Sequence, residues 1–250
     1  MVNIFTFKWG NKYGPEYTNR LYGSLLKHVD VPFTFTCVTD NSDGLHSDIK
    51  VIDYNTFDPW EYPKDRIFTR EKVILMKRFQ EGNNFWIDQD ILIHNNITDL
   101  ITRIFKKPTF IWNYWNWTNR SEYEALRWFG KGVQCYVNSS FVGWTGSCGE
   151  FIYDHIMANE KQAFHTYKSL DKYLFYQHWR NERLAFWEEG LWYNYNFSKP
   201  PFTIQEAERG CIFNTSHIKA NNLEQKAFEI HETTGWAKEM WESYDVPSNR

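Results

Sequence analysis

Two aspartates separated by one glutamine interrupt an apolar stretch, Phe85-Trp86-Ile87-Asp88-Gln89-Asp90-Ile91-Leu92-Ile93. Charge between apolar runs is unfavourable unless something compensates it. Phe85 to Ile87 is too short and too β-prone for a helix, and the turn-forming Glu81-Gly82-Asn83-Asn84 precedes it. The pattern predicts a buried strand of an α/β sheet. Asp88 then lies at the strand's C-terminal end, the edge at which open α/β sheets bind ligands. An acid pair there suits Mg²⁺ or Mn²⁺, which takes one or two protein carboxylates and fills its other positions with water and phosphate oxygens. The competing reading is a pair of solvated turn residues.

The chain upstream supports the α/β reading. Val2 to Phe7 is a predicted strand, followed by a loop from Lys8 to Gly14. Pro15 suits the first turn of a helix. Tyr17, Leu21 and Leu25 recur at four-residue spacing, with Tyr22, Leu26 and Val29 beside them, and the pattern ends before Pro32. Strands follow at Phe33–Val38 and Ile49–Ile52. Thr69 is placed to cap a helix that turns Val73, Leu75, Met76 and Phe79 inward. Beyond Asp90 come a short helix near Leu100 and strands at Thr109–Ile111 and Tyr136–Val142. Two helices carry Ile152/Ile156 and Leu170/Leu174. An aromatic stretch from Leu184 to Tyr195, a last strand at Cys211–Asn214 and a helix at Trp236/Met240 complete the chain. No repeat or Gly/Ser linker divides the sequence, so residues 1–250 read as one domain.

Composition narrows the function. A formal charge of −3 gives no reason to expect a nucleic acid partner. Aromatic residues make up 19% of the chain, more than a core requires, which predicts aromatic surface used for binding. Cys37, Cys135, Cys148 and Cys211 are widely spaced, with neither metal-ligand spacing nor a disulfide framework. With no basic leader and no membrane-length apolar run, the expected setting is a reducing cytoplasm, without a transmembrane segment.

Taken together, Tyr13-Gly14-Pro15-Glu16-Tyr17, Cys37-Val38-Thr39-Asp40, Phe85 to Asp90, Tyr136-Val137-Asn138-Ser139-Ser140, Asp171-Lys172-Tyr173-Leu174 and Ile212 to Lys219 resemble the GT-A fold glycosyltransferases, in particular small family-8-like or capsular-polysaccharide-type enzymes. The resemblance implies an α/β, Rossmann-like mixed sheet flanked by helices. Residues 1–100 would form a nucleotide-binding half and residues 101–250 an acceptor-binding half. It also implies a nucleoside-diphosphate sugar donor, a glycan or other hydroxyl acceptor, and Mn²⁺ or Mg²⁺ on the donor diphosphate. Asp90 would be the direct metal ligand, with Asp88 on the metal or the ribose. His217 would supply a third ligand, with His231 as its competitor, and Lys219 would grip the diphosphate.

Further roles follow from the same resemblance. Thr6, Lys8, Tyr13 and Asp40 fall where the family holds the base and ribose. Lys72 is in reach of phosphate, against the alternative of a solvated helix lysine. Asn138 borders the sugar, although Ser140 stands where the family has glycine. Asp171 matches the acidic member of an Asp-Gln pair whose second member is here Lys172; with Glu188 and Glu189 it is also a candidate base. Trp112, Trp115 and Trp117 form an expected acceptor platform, because sugar C–H faces pack on indole rings. Two rivals remain at this stage. A sugar nucleotidyltransferase would share the sheet but favour a Gly-rich basic loop after the first strand. A non-catalytic glycan-binding protein would use the aromatics alone.

Overall fold

The computed structural model describes residues 1–57, 69–112, 137–167, 169–188, 191–194, 212–214, 230–232 and 236–246. The chain begins β1 (Val2–Lys8), α1 (Pro15–His28), β2 (Phe33–Thr39), β3 (Lys50–Asp53) and α2 (Tyr54–Phe57). It continues α3 (Glu71–Arg78), β4 (Asn83–Ile87), β5 (Ile91–Ile93), α4 (Thr98–Ile101) and β6 (Thr109–Trp112). Then come β7 (Val137–Thr145), α5 (Glu150–Ala158), α6 (Glu160–Thr166), α7 (Leu170–Gln177) and β8 (Ala185–Phe186). The last described elements are β9 (Trp192–Asn194), β10 (Ile212–Asn214) and α8 (Trp236–Glu242).

A mixed seven-stranded sheet runs β3-β2-β1-β4-β7-β6-β8. Strands β3, β2, β1 and β4 are mutually parallel, and β7 is antiparallel to both β4 and β6. A smaller sheet is ordered β5-β10-β9. The central strands are buried on both faces, polar positions such as Thr6, Thr36 and Asn84 included. Their alternation separates two cores. Ile4, Phe85 and Ile87 pack with Leu21 and Leu25 of α1, whereas Phe5 and Trp86 pack with Val73, Ile152 and Leu174 from α3, α5 and α7. Gly143 of β7 has no room for a side chain, since a Cβ there would lie about 3 Å from the rings of Phe85, Phe105 and Trp187.

Several local expectations change. Leu26 was expected on the buried stripe of α1 but is 52% exposed. Thr69 does not cap α3: Arg70 occupies the N-cap position without a side-chain cap bond, and Thr69 has a φ of 51°. That left-handed backbone directs the chain into the helix one residue later than the sequence pattern implies. The residues after Asp90 form β5, which leaves the main sheet to pair antiparallel with β10.

Candidate active site

The acid pair sits at the corner between the two sheets. Strand β4 ends at Ile87, and the Asp88 amide donates to the Ser140 carbonyl of β7 at 2.9 Å. The chain then turns through Gln89 and Asp90 into β5. Buried Gln89 donates through Nε2 to the Thr18 hydroxyl of α1. That bond anchors the turn to the first helix.

Asp88 is held from two sides. The Trp86 indole donates to its Oδ1 at 2.5 Å. The Lys72 ammonium lies 2.8 Å from Oδ1 and 3.1 Å from Oδ2. Lys72 is 4% exposed and also donates to the Ser139 carbonyl at 2.9 Å and to the Ser139 hydroxyl at 3.2 Å. It is therefore a buried partner of Asp88, and the solvated-lysine alternative is set aside. Asp171, in the first turn of α7, accepts from the Ser139 amide at 3.1 Å. Burial raises its pKa above the ordinary carboxylate value, although Lys72 and Ser139 favour the ionised form. Asp88, Lys72, Ser139 and Asp171 thus form one connected polar network spanning β4, α3, β7 and α7.

Asp90 is partly exposed, and the Tyr13 hydroxyl lies 3.4 Å from its Oδ2. Tyr13 packs on Tyr17 at 4.5 Å between ring centroids, and the Tyr17 hydroxyl meets His231 Nδ1 at 2.5 Å. His231 consequently connects to the acid corner through two aromatic rings. His217 and Lys219, and with them the other expected ligand and the diphosphate grip, lie outside the described residues.

Asp88 and Asp90 face a cleft of about 340 Å³ lined also by Phe7, Trp9, Tyr13, Glu71, Lys72 and Trp86. It opens at the carboxyl ends of β1 and β4. Trp9 and Glu71 were not singled out by the sequence reading, but strand alternation contained the signal. Phe5 and Phe7 share one face of β1, and Trp9 continues that series towards the cleft, whereas Thr6 and Lys8 fall on the other face.

The remaining expected donor residues are placed differently from the acid pair. Thr6 is fully buried, and buried Lys8 donates to the Asn41 carbonyl at 3.1 Å; neither is among the residues that line the cleft. Asp40 is exposed and accepts from the Gly10 amide at 3.0 Å, bracing the loop that carries Trp9. Gly10 makes that loop possible with a φ of 65°. Asn138 accepts from the Ser140 amide at 2.9 Å, so its carbonyl oxygen is used within β7.

The expected acceptor platform is corrected at Trp112. This residue is 6% exposed and packs against Trp179 and Phe186, because β6 carries it into the core. Trp115 and Trp117 lie outside the described residues. Among the other base candidates, Glu188 pairs with Arg103 at the surface, and Glu189 lies outside the described residues.

This architecture is the GT-A type of glycosyltransferase fold. One similar structure is the glycosyltransferase GlyE of Streptococcus pneumoniae TIGR4, with a TM-score of 0.57 and 12% identity, matching 98% of this chain. The present chain covers 60% of that protein's length. The galactosyltransferase LgtC, in complex with donor and acceptor sugar analogs, gives a TM-score of 0.58 at 12% identity, over 97% of this chain and 95% of its own. Mouse xyloside xylosyltransferase 1 gives 0.51 at 11% identity, over 85% of this chain and 96% of its own. No protein-family model matches the sequence, and no curated protein matches it significantly.

Proposed function

We propose that this chain is a metal-dependent glycosyltransferase that moves a sugar from a nucleoside-diphosphate sugar to a glycan or other hydroxyl acceptor. The observation that carries the reading is the acid corner. Asp88 is fixed by Lys72 and Trp86, and Asp90 borders the same cleft at the carboxyl ends of the central parallel strands. That is the position at which open α/β sheets hold ligands. The fold likeness raises the case for glycosyl transfer without assigning donor or acceptor.

The donor set fits a hard cation. It offers carboxylate oxygens and no thiolate, and among the described residues no group of three or more His, Cys, Asp or Glu side chains forms an all-protein cage. Such an open site suits an ion that completes its shell with diphosphate oxygens and water. Asp90 would hold it directly. Asp88, already committed to Lys72, would hold it weakly or orient the ribose, and His231 or His217 would stand behind it. When bound, the ion would offset charge that develops on the departing diphosphate. Lys72 fixes the Asp88 carboxylate, and Tyr13 restrains Asp90. Residues 1–100 supply the donor half of this single domain and residues 101–250 the acceptor half.

The loop after β1 weighs against a nucleotidyltransferase. Lys8 is bound to Asn41, and the Lys12 ammonium rests on Tyr13 at 2.6 Å from its hydroxyl. Of Lys8 and Lys12 only Lys12 lines the cleft, so the loop brings one basic group there and not the cluster expected around a triphosphate. Calorimetry with UDP, GDP, ADP and CDP in Mn²⁺ and in EDTA tests the proposal, alongside assays for hydrolysis of a nucleotide-sugar panel. Metal-dependent nucleotide binding with sugar release is expected. Equal nucleotide affinity in EDTA and Mn²⁺ would overturn the metal-bridged donor site.

A further inference from the structure

The acid corner is held by different helices on its two sides. Asp88 is fixed from α3, through Lys72. Asp90 lies 3.4 Å from the hydroxyl of Tyr13, two residues before α1 begins. The residue between the carboxylates is tied to α1 as well. Gln89 is 4% exposed, and its Nε2 donates to the Thr18 hydroxyl. Among the described residues its Oε1 meets no donor, so that one bond holds the side chain. Thr18 is fully buried, and α1 is packed on the sheet by Leu21 and Leu25, which share a core with Ile4 and Ile87.

We propose that Gln89 and Thr18 are a positioning pair: through their hydrogen bond α1 sets the place of Asp90 against Asp88, and with it the affinity of the cleft for a divalent cation. The pair rests on the cation site proposed above and adds to it a residue, Thr18, that lies outside the cleft. In an extended chain, residues two apart stand about 6.6 Å from one another. Oxygens around one Mg²⁺ stand about 3 Å apart. The backbone must therefore turn for both carboxylates to serve one ion, and Gln89 is where it begins to turn. Fixing Gln89 fixes that turn. Mg²⁺ tolerates little departure from octahedral geometry, so a turn that wanders costs affinity even with both carboxylates present. The bond also opposes Lys72 across the sheet. Ile87 packs in one core with α1, whereas Trp86 packs in the other with α3. The turn is thus clamped from both faces, by an ion pair at Asp88 and a neutral bond at Gln89. A neutral amide does this without placing a further charge beside the carboxylates.

The test uses Thr18→Val combined with Gln89→Met. This replaces both partners by apolar side chains of similar size, which a fold tolerates far better than loss of one partner. Mn²⁺ binding is read from loss of the free-ion paramagnetic resonance signal, alone and with the tightest-binding of UDP, GDP, ADP and CDP. Hydrogen exchange across residues 86–92 is measured on the metal-free protein, beside urea unfolding. The double variant should unfold cooperatively and bind Mn²⁺ about tenfold or more weakly. It should exchange faster across residues 86–92 while the α1 amides keep wild-type protection. Thr18→Ser keeps the hydroxyl and should stay within about threefold of wild-type Mn²⁺ affinity. Either unchanged affinity or unchanged exchange in the double variant overturns the proposal. So does a Thr18→Ser protein as weak as the double variant, because the hydroxyl is then not what acts. One arm needs no variant to fold: in the wild-type protein the Gln89 carboxamide protons should exchange at least about a hundredfold more slowly than those of exposed glutamines. Equal exchange overturns the clamp. Failure of the wild-type protein to bind Mn²⁺ under any of these conditions would instead overturn the cation-site reading, and the pair's role with it.

Discussion

The Lys72 ammonium lies between the Asp88 carboxylate and the Ser139 carbonyl, 2.8 Å from one and 2.9 Å from the other. One buried cation thereby joins the end of β4 to the start of β7. The two strands are antiparallel neighbours, with Ile87 opposite Phe141, so the pair fixes the strand ends exactly where the polypeptide leaves the main sheet. The charge that orients Asp88 is also part of the fold.

Lys72→Met should consequently affect both stability and function. The Lys72 side chain is 5% exposed and that of Asp88 26%, so the remaining carboxylate would be only partly rehydrated. A loss of about 2–3 kcal/mol is expected, somewhat below the range for a fully buried pair. Urea unfolding measures it. A change below about 0.5 kcal/mol would show that Asp88 finds other compensation.

Trp112 and the acceptor platform separate in the same kind of measurement. Trp112→Ala should destabilise the protein by about 3–5 kcal/mol, because it leaves a cavity between Trp179 and Phe186. A stably folded variant with a raised acceptor KM would instead return Trp112 to the binding surface. Trp115→Ala and Trp117→Ala are expected to raise acceptor KM several-fold, about 1 kcal/mol each, with donor hydrolysis nearly intact.

Much of the donor half was legible because its signals are local. Pro15 opens α1, the Tyr17/Leu21/Leu25 spacing marks its buried face, and Asp88 follows a short apolar strand. What escaped depended on distant partners. Strand β5 is three residues long and becomes a strand by pairing with β10, more than a hundred residues later. Lys72 looks like any helical lysine until β4 and β7 bring Asp88 and Ser139 to its ammonium. Trp9 was passed over although the period-two pattern of β1 was visible, because the loop begins just where the strand alternation would have placed it. Trp112 looked like part of an aromatic-rich surface segment, but strand pairing carries it into the core.

Two buried groups titrate with opposite consequences for stability. Burial lowers the His178 pKa from 6.5 to about 3, with His155 and Arg183 adding to the effect. The unfolded chain protonates this histidine first, so its contribution to stability is lost as pH falls from 6.5 towards 3. Burial raises the Asp171 pKa from 3.8, so the stability that its protonated form provides is lost as pH rises from 3.8 through the raised value. The windows overlap, and the two slopes partly cancel. Asp171→Asn keeps an oxygen for the Ser139 amide and removes one of them. It should stabilise the protein near pH 7 and steepen the loss in acid, towards the ~1.4 kcal/mol per pH unit of a single proton. Urea unfolding from pH 4 to 7 checks this; a variant less stable at pH 7 with an unchanged acid slope would contradict it.

Asp90 offers the most direct test of the proposed chemistry, because its contacts differ from those of Asp88. The Tyr13 hydroxyl lies 3.4 Å away, whereas Asp88 has a lysine at 2.8 Å and an indole at 2.5 Å. Asp90→Asn keeps the size of the side chain and removes its charge, leaving Asp88 and Lys72 in place. The amide oxygen still accepts from the Tyr13 hydroxyl, so the variant should remain folded, with a cooperative urea transition. Turnover of the nucleotide-sugar should fall at least about a hundredfold, roughly 3 kcal/mol in transition-state stabilisation. Mn²⁺ should no longer enhance nucleoside-diphosphate binding in this variant. A Tyr13→Phe protein provides the contrast: it removes the hydroxyl that lies against both Asp90 and the Lys12 ammonium but keeps the Asp90 charge, and its turnover should fall by no more than about tenfold with metal dependence retained. If Asp90→Asn keeps wild-type turnover and metal response, Asp90 is not the ligand of a catalytic cation and the assignment at its centre fails.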